Sequence, residues 1–345
     1  LTGTSGLSLV APGAIRLGGA TSLAGDLEVQ STEAAVRFDG SLAVGGSATL
    51  SGARGLVLGG DTFFNGPLTL GSSEGLITHR GLLHTNSDFI LDTAGAFVSE
   101  GRLESGGRVS IRAASLVLEE AGVGGVFANG DIRLGARESI RLGARGQIVS
   151  GAGVRIESPR FETEGAVLAT GGGLDFKGEL LANAGVLAGQ TVRVEGRLDN
   201  VAAGLVSADR VEVQGASSNQ GEIGGKAIIL SGGLDNTGRV VGERVEVAGG
   251  DLLNRGSLGG GVLQIDAGRI SNSGLIAADS IEIRGASLAN SSVLYGGRVD
   301  LALGGSVANV GVIDSAGTLT LSASTLDNRG SLRAGSTASL DLVQG

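Results

Sequence analysis

Asparagine returns along the second half of this chain at nearly constant intervals. Asn183, Asn200, Asn219, Asn236, Asn254, Asn272, Asn290, Asn309 and Asn328 are separated by 17, 19, 17, 18, 18, 18, 19 and 19 residues. Seven of the nine stand in Asn-x-Gly, and most follow an apolar residue two positions earlier, as in Leu234-Asp235-Asn236-Thr237-Gly238. A period near 18 marks a solenoid, because a unit so short buries its apolar face only against its neighbours.

A second repeat runs through the whole chain. An apolar-x-apolar pair recurs from Leu7/Leu9 and Leu27/Val29 through Leu174/Phe176, Val211/Val213 and Ile281/Ile283 to Leu319/Leu321 and Leu340/Leu342. Eighteen copies between Leu7 and Leu340 give a mean period of about 19.6 residues. Alternation at period two is a strand with one buried face. Each unit adds a Leu-x-Asn segment and one apolar residue after the Gly, such as Leu258 or Ile276. The expected fold is all-β: a right-handed parallel β-helix of about 18 coils, each 17–23 residues long and holding three short strands. Handedness follows from the crossover rule for parallel strands.

Composition excludes the alternatives. The 345 residues include 65 Gly without a strict every-third pattern, which removes collagen. No sustained 3.6-residue apolar rhythm occurs, so ordinary helices are not expected. An apolar content of 41% suffices for a continuous core. The chain has no Cys, hence no disulfide framework and no thiolate metal site. The net charge of −9, with 24 Arg and only two Lys, argues against nucleic acid and anionic membrane surfaces as partners. No apolar run is long enough to span a membrane.

The chain divides into two styles of one rod. Over 1–177 the slot later held by Asn reads Leu17, Phe38, Leu58, Val98, Leu118 and Leu142, and all eight Phe lie between Phe38 and Phe176. Over 178–345 the slot is Asn in every coil. Stacked amides carry donors and an acceptor, so these nine Asn are expected to form a ladder. Asn and the following Gly also suit positive φ at a corner.

Candidate sites are few. Polysaccharide cleavage needs clustered carboxylates and aromatic platforms. The outward row beside the main strand pair reads Arg133, Arg155, Asp175, Arg193, Glu212, Ile229, Glu246, Gln264, Glu282, Asp300; weak pairing is expected among Arg155, Asp175, Arg193 and Glu212, and mild repulsion between Glu282 and Asp300. A solvated face fits this row better than a catalytic pair, so no catalytic residue is assigned. His79 and His84, with Glu74 and Asp88 nearby, stand five apart across a Gly; a surface loop is the expectation there, not a metal site. Gly59-Gly60-Asp61 and Gly249-Gly250-Asp251 are isolated fragments of a calcium-roll pattern. Neither cofactor nor metal is expected. Phe63-Phe64 is the speculative exposed contact, against a capping loop over the coil. Residues 60–90 and 119–130 look least regular and are where a receptor patch would interrupt the repeat.

Units such as Gly233-Leu-Asp-Asn-Thr-Gly-Arg-Val-Val-Gly and Leu326-Asp-Asn-Arg-Gly-Ser-Leu-Arg-Ala-Gly335 resemble the haemagglutinin repeats of filamentous haemagglutinin-like exoproteins. The resemblance is specific over 178–345, with Ser217 and Ser292 as departures, and over 1–177 rests on rung length and alternation. That family includes two-partner-secretion adhesins and the effector sticks of contact-dependent growth inhibition. The resemblance implies a right-handed β-helical shaft, exported through an outer-membrane secretion partner and displayed on a Gram-negative cell surface. Its implied outer contact is a host or target-cell receptor, met through other parts of the parent. Asn-Pro-x-Gly and Val-Glu-Asn-Asn, the landmarks of the secretion domain and of the toxin junction, are missing, so an internal length of shaft is expected. Two other readings compete: the segment is itself a receptor-binding module, or it is a sugar-cleaving enzyme, disfavoured by one Tyr, no Trp and two His.

Overall fold

Alternation along each short segment puts one residue in the core and the next in solvent, and that is how the strands lie. A computed structural model describes residues 1–118 and 124–342, and these form strands and turns with no helix. Every pairing between them is parallel, and rungs of about 19 residues fall within the expected 17–23, which makes the fold a parallel β-solenoid. The chain separates into two units, Leu1–Glu179 with Gly185–Gln190, and Leu180–Ala184 with Thr191–Gly345.

In the first unit the leading column stacks Leu7, Leu27, Ala48, Leu68, Phe89, Val109, Ile132, Val154 and Leu174 in register. A second column stacks Leu17, Phe38, Leu58, His79, Ser99, Leu118, Leu142 and Thr163. This corrects the all-apolar slot expected there: His79, Ser99 and Thr163 are buried members of it, whereas Val98 is one residue out of step and only half-buried. The third column stacks Leu23, Val44, Phe64, Thr85, Ser105, Ala128 and Ser150. Buried hydroxyls at this corner donate to carbonyls of the preceding rung, as Thr85 Oγ1 does to Gly66 O at 2.8 Å and Ser150 Oγ to Gly130 O at 2.8 Å. Small hydroxyl residues thus satisfy turn carbonyls that an apolar residue would leave bare.

Residues 60–90 do not interrupt the repeat: Thr62–Phe64, Leu68–Ser72, Leu76–His79 and Leu82–Thr85 all pair in register. Residues 119–123 of the other expected irregular segment lie outside the described residues, and Gly125–Ala128 within it is an ordinary rung strand. The ladder does shift register between Ala113 and Ser115.

In the second unit Val211, Ile228, Val245, Leu263, Ile281, Val299 and Leu319 stack through Thr191–Gly345, most of them fully buried. One expected copy moves. The residues opposite Leu319 and Leu321 are Ala338 and Leu340, not Leu340 and Leu342, because the rung keeps 19 residues; both leucines are about half exposed.

The corners correct the role given to glycine. Among the described residues no non-glycine has positive φ, and the Gly of Asn-x-Gly is not left-handed either. Its need is space: a Cβ on Gly256 would lie 2.1 Å from Gly238 O, and one on Gly274 would lie 2.1 Å from Gly256 O. Successive rungs touch backbone to backbone at this corner.

Candidate functional site

The nine Asn side chains fall in one column of the second unit, and the structure links each to the next. Each Nδ2 donates to the Oδ1 of the following Asn, at 2.8 Å from Asn183 to Asn200, from Asn200 to Asn219 and on to Asn309, and at 2.7 Å from Asn309 to Asn328. The other amide proton reaches a carbonyl just past the next corner, as Asn236 does to Ser257 O at 3.1 Å and Asn254 to Leu275 O at 3.0 Å. Asn183 through Asn309 are at most 1% exposed; Asn328, on the last described rung of the column, is exposed. A buried amide so saturated bears hydrogen-bonding load and offers nothing to a ligand.

Phe63 and Phe64 separate. They lie on the strand Thr62–Phe64, not on a capping loop, and alternation sends them opposite ways. Phe64 is 1% exposed between Val44 and Thr85, so it is no surface contact; Phe63 is 45% exposed. Its ring lies 6.2 Å from that of His84, centroid to centroid, at 44°. His84 Nδ1 faces Glu104 Oε2 at 3.0 Å and its Nε2 faces Asn86 Oδ1 at 2.9 Å. Asn86 Nδ2 donates to Asn65 Oδ1 at 3.0 Å. An open hollow of about 350 Å³ lies beside Phe63, lined by Ala43, Gly45, Asn65, His84 and Asn86 among others.

His79 overturns the surface-loop expectation. It ends the strand Leu76–His79 with its side chain in the core, fully buried, and Nδ1 lies 2.9 Å from Ser99 Oγ. Its Nε2 has no partner. Burial drives its pKa down to about 4, against an opposing pull from Asp61. Ile77 already marked the inward positions of that strand, so the same parity places His79 inside. His79 and His84 sit on different columns, and among the described residues no three His, Cys, Asp or Glu gather as metal ligands.

Arg155, Arg193 and Glu212 of the outward row pair along their own strands, not with one another across rungs, whereas elsewhere Arg80–Glu100, Arg108–Asp88 and Lys226–Asp209 bridge neighbouring rungs. Arg155 Nε meets Glu157 at 2.8 Å, Arg193 meets Glu195 at 3.4 Å, and Arg210 meets Glu212. Residues i and i+2 share a face, and a long guanidinium laid along its own strand reaches the carboxylate there. Glu282 and Asp300, which stand opposite each other, are each met by an arginine, Arg284 and Arg298. A second hollow of about 820 Å³ interleaves Asp92, Arg112, Arg137, Glu157, Lys177 and Glu179. Its lining mixes three carboxylates with three cationic side chains.

The two Gly-Asp fragments have a structural use that their sequence pattern concealed. Asp61 Oδ1 accepts from Leu82 N at 2.8 Å and Asp251 Oδ1 from Arg269 N at 2.8 Å, one rung on. Asp26, Asp88 and Asp131 bind the next rung in the same way, through Ser47, Arg108 and Gly153. The backbone hydrogen bond from Ser47, helped by its hydroxyl, holds the Asp26 carboxyl below its ordinary pKa. Each of these Asp residues directly precedes a rung strand, but the five do not share one corner and do not recur at rung spacing, so the sequence carried no repeat to mark them.

A family model described as haemagglutinin repeat matches residues 22–77, 65–122 and 123–202, together just over half of the chain. The match falls mostly on the coils before the Asn series, where the resemblance rests on rung length and alternation. No curated protein and no solved structure matches the chain.

Proposed function

Because this chain belongs to the haemagglutinin-repeat family, we propose that it is a length of structural shaft in a large exoprotein, carrying adhesive, receptor-binding or toxin domains away from a Gram-negative cell. Haemagglutinin repeats are typical of secreted or surface-exposed exoproteins of a structural, adhesive kind and are not an enzyme family. On this reading export runs through an outer-membrane secretion partner, and recognition of a host or target cell rests mainly on other parts of the parent.

The observation that carries the proposal is that in the second unit the same stacking repeats rung after rung. Interior columns, Asn links and Asp staples all join a rung to the next one, so each added rung adds length and little else. Projection is testable directly. The chain is placed between an outer-membrane anchor and an epitope tag on an encapsulated cell, and antibody access to the tag is measured. Access should fall stepwise as rungs are removed in register. Access that ignores rung number would sink the shaft reading.

A further inference from the structure

The outward row Ala43, Phe63, His84, Glu104 contains an abrupt step in side-chain volume that neither the core nor the Asn ladder needs. We propose that this step is a binding site for a neutral pyranose, with the Phe63 ring as the wall that takes the sugar's C–H face and Asn65, Asn86 and His84 as its polar rim.

On one side of the Phe63 ring the rung carries Ala43 and Gly45, which leave the aromatic face uncovered and open the hollow of about 350 Å³. On the other side His84 backs the ring at 6.2 Å between centroids. A contrast lies further along the same row. Phe127, opposite Glu104, is capped by the Arg102 guanidinium at 4.2 Å from its centroid and is only half exposed. One aromatic of the row is thus covered and the other is bare.

The rim is ordered without a ligand. Glu104 holds His84, His84 holds Asn86, and Asn86 occupies the Oδ1 of Asn65. That leaves the Asn65 Nδ2 protons to meet a hydroxyl oxygen. An apolar ring face bounded by amide and imidazole groups matches a molecule with C–H bonds on one face and hydroxyls at its edge. Behind His84, 3.0 Å from its Nδ1, the Glu104 carboxylate adds negative charge close to the rim and disfavours an acidic sugar. With one stacking face and few hydrogen bonds, affinity for a single sugar belongs in the millimolar range, and repetition along a glycan or across copies would raise it. The site lies on an outward face, so it stands or falls independently of the shaft reading.

Saturation-transfer difference NMR on the full chain, with the methyl β-glycosides of galactose, glucose, mannose and N-acetylglucosamine at millimolar concentration, tests the assignment. At least one should receive saturation, strongest on the C–H protons of one ring face. Phe63→Ala should weaken it about tenfold and Asn65→Ala severalfold, while Phe127→Ala leaves it unchanged, all with the parent's circular dichroism. If Phe63→Ala melts early, Phe63→Leu keeps the bulk without the aromatic face and should lose the signal equally. Transfer to none of the four glycosides, or transfer that survives loss of the Phe63 ring, overturns the proposal.

Discussion

His79 fills an interior slot between Leu58 and Ser99 with a ring that water never reaches and one nitrogen that bonds to nothing. Its effect on stability has a definite sign. The folded chain binds the proton with a pKa of about 4, whereas an unfolded chain binds it near 6.5. Between those values the unfolded state holds more protons, so stability rises with pH there and is lost as pH falls below 6.5. Each pH unit crossed inside that window changes stability by about 1.4 kcal/mol, so the loss at pH 5 is about 2 kcal/mol relative to pH 7.5. His79→Leu has similar volume and no titration, so its stability should fall about 2 kcal/mol less than the parent's over that interval. Denaturant melts of both proteins at the two pH values measure the difference. Equal losses would mean the ring reaches solvent, or is protonated as easily folded as unfolded.

At the scale of the element, the Asn column shows what a repeated side chain contributes. Replacing Asn254 by Val removes the partner of one Nδ2 proton of Asn236 and of the Oδ1 of Asn272, both buried, while Asn236 keeps its bond to Ser257 O. Two unsatisfied buried groups cost about 2–5 kcal/mol together. Asn328 is exposed and only accepts, so Asn328→Val removes the partner of a single buried group, one Nδ2 proton of Asn309, and should cost half as much, about 1–2 kcal/mol. Chemical denaturation of the pair measures the contrast, and equal costs would show that the links carry no load. The Asn column could be read from the sequence because one identical residue returned at fixed spacing. The main columns were equally legible, since Val245/Val247 and Ile281/Ile283 alternate without ambiguity. Three features were not legible, each for a physical reason. The polar stretch of the first unit's second column was hidden because Val98 and Ser99 are both acceptable strand residues, and only register decides which points inward. The Asp staples act between residues about 20 apart, where no local pattern advertises them. The hollow at Phe63 depends on Ala43 and Gly45 one rung away, a neighbour relation created by stacking and invisible along the chain.

For the molecule as a whole, the ladder implies that stability and length are both sums over rungs, with each rung answerable only to its neighbours. The second unit allows a direct trial because its register repeats cleanly: Ser257, Leu275 and Val293 are equivalent positions on successive rungs. Deleting residues 257–292 joins Gly256 to Val293, removes two whole rungs and leaves every column in phase. The chain has no Cys, so Asp235→Cys and Asp327→Cys provide two clean points for spin labels. Those positions belong to one outward row, running through Leu253, Ser271, Ala289 and Ala308, five rungs from end to end. At about 4.8 Å per rung their backbones stand roughly 24 Å apart, and the deletion should bring them to roughly 14 Å. Pulsed electron paramagnetic resonance reads a change of about 10 Å readily against the label's own spread. A globular domain that lost so much interior sequence would not fold. Here the shortened chain should fold, unfold with slightly less resistance, and report the expected distance. An unchanged distance, or loss of the β spectrum, would show that the rungs are not interchangeable, and a shaft built from them would have no simple relation between sequence length and reach.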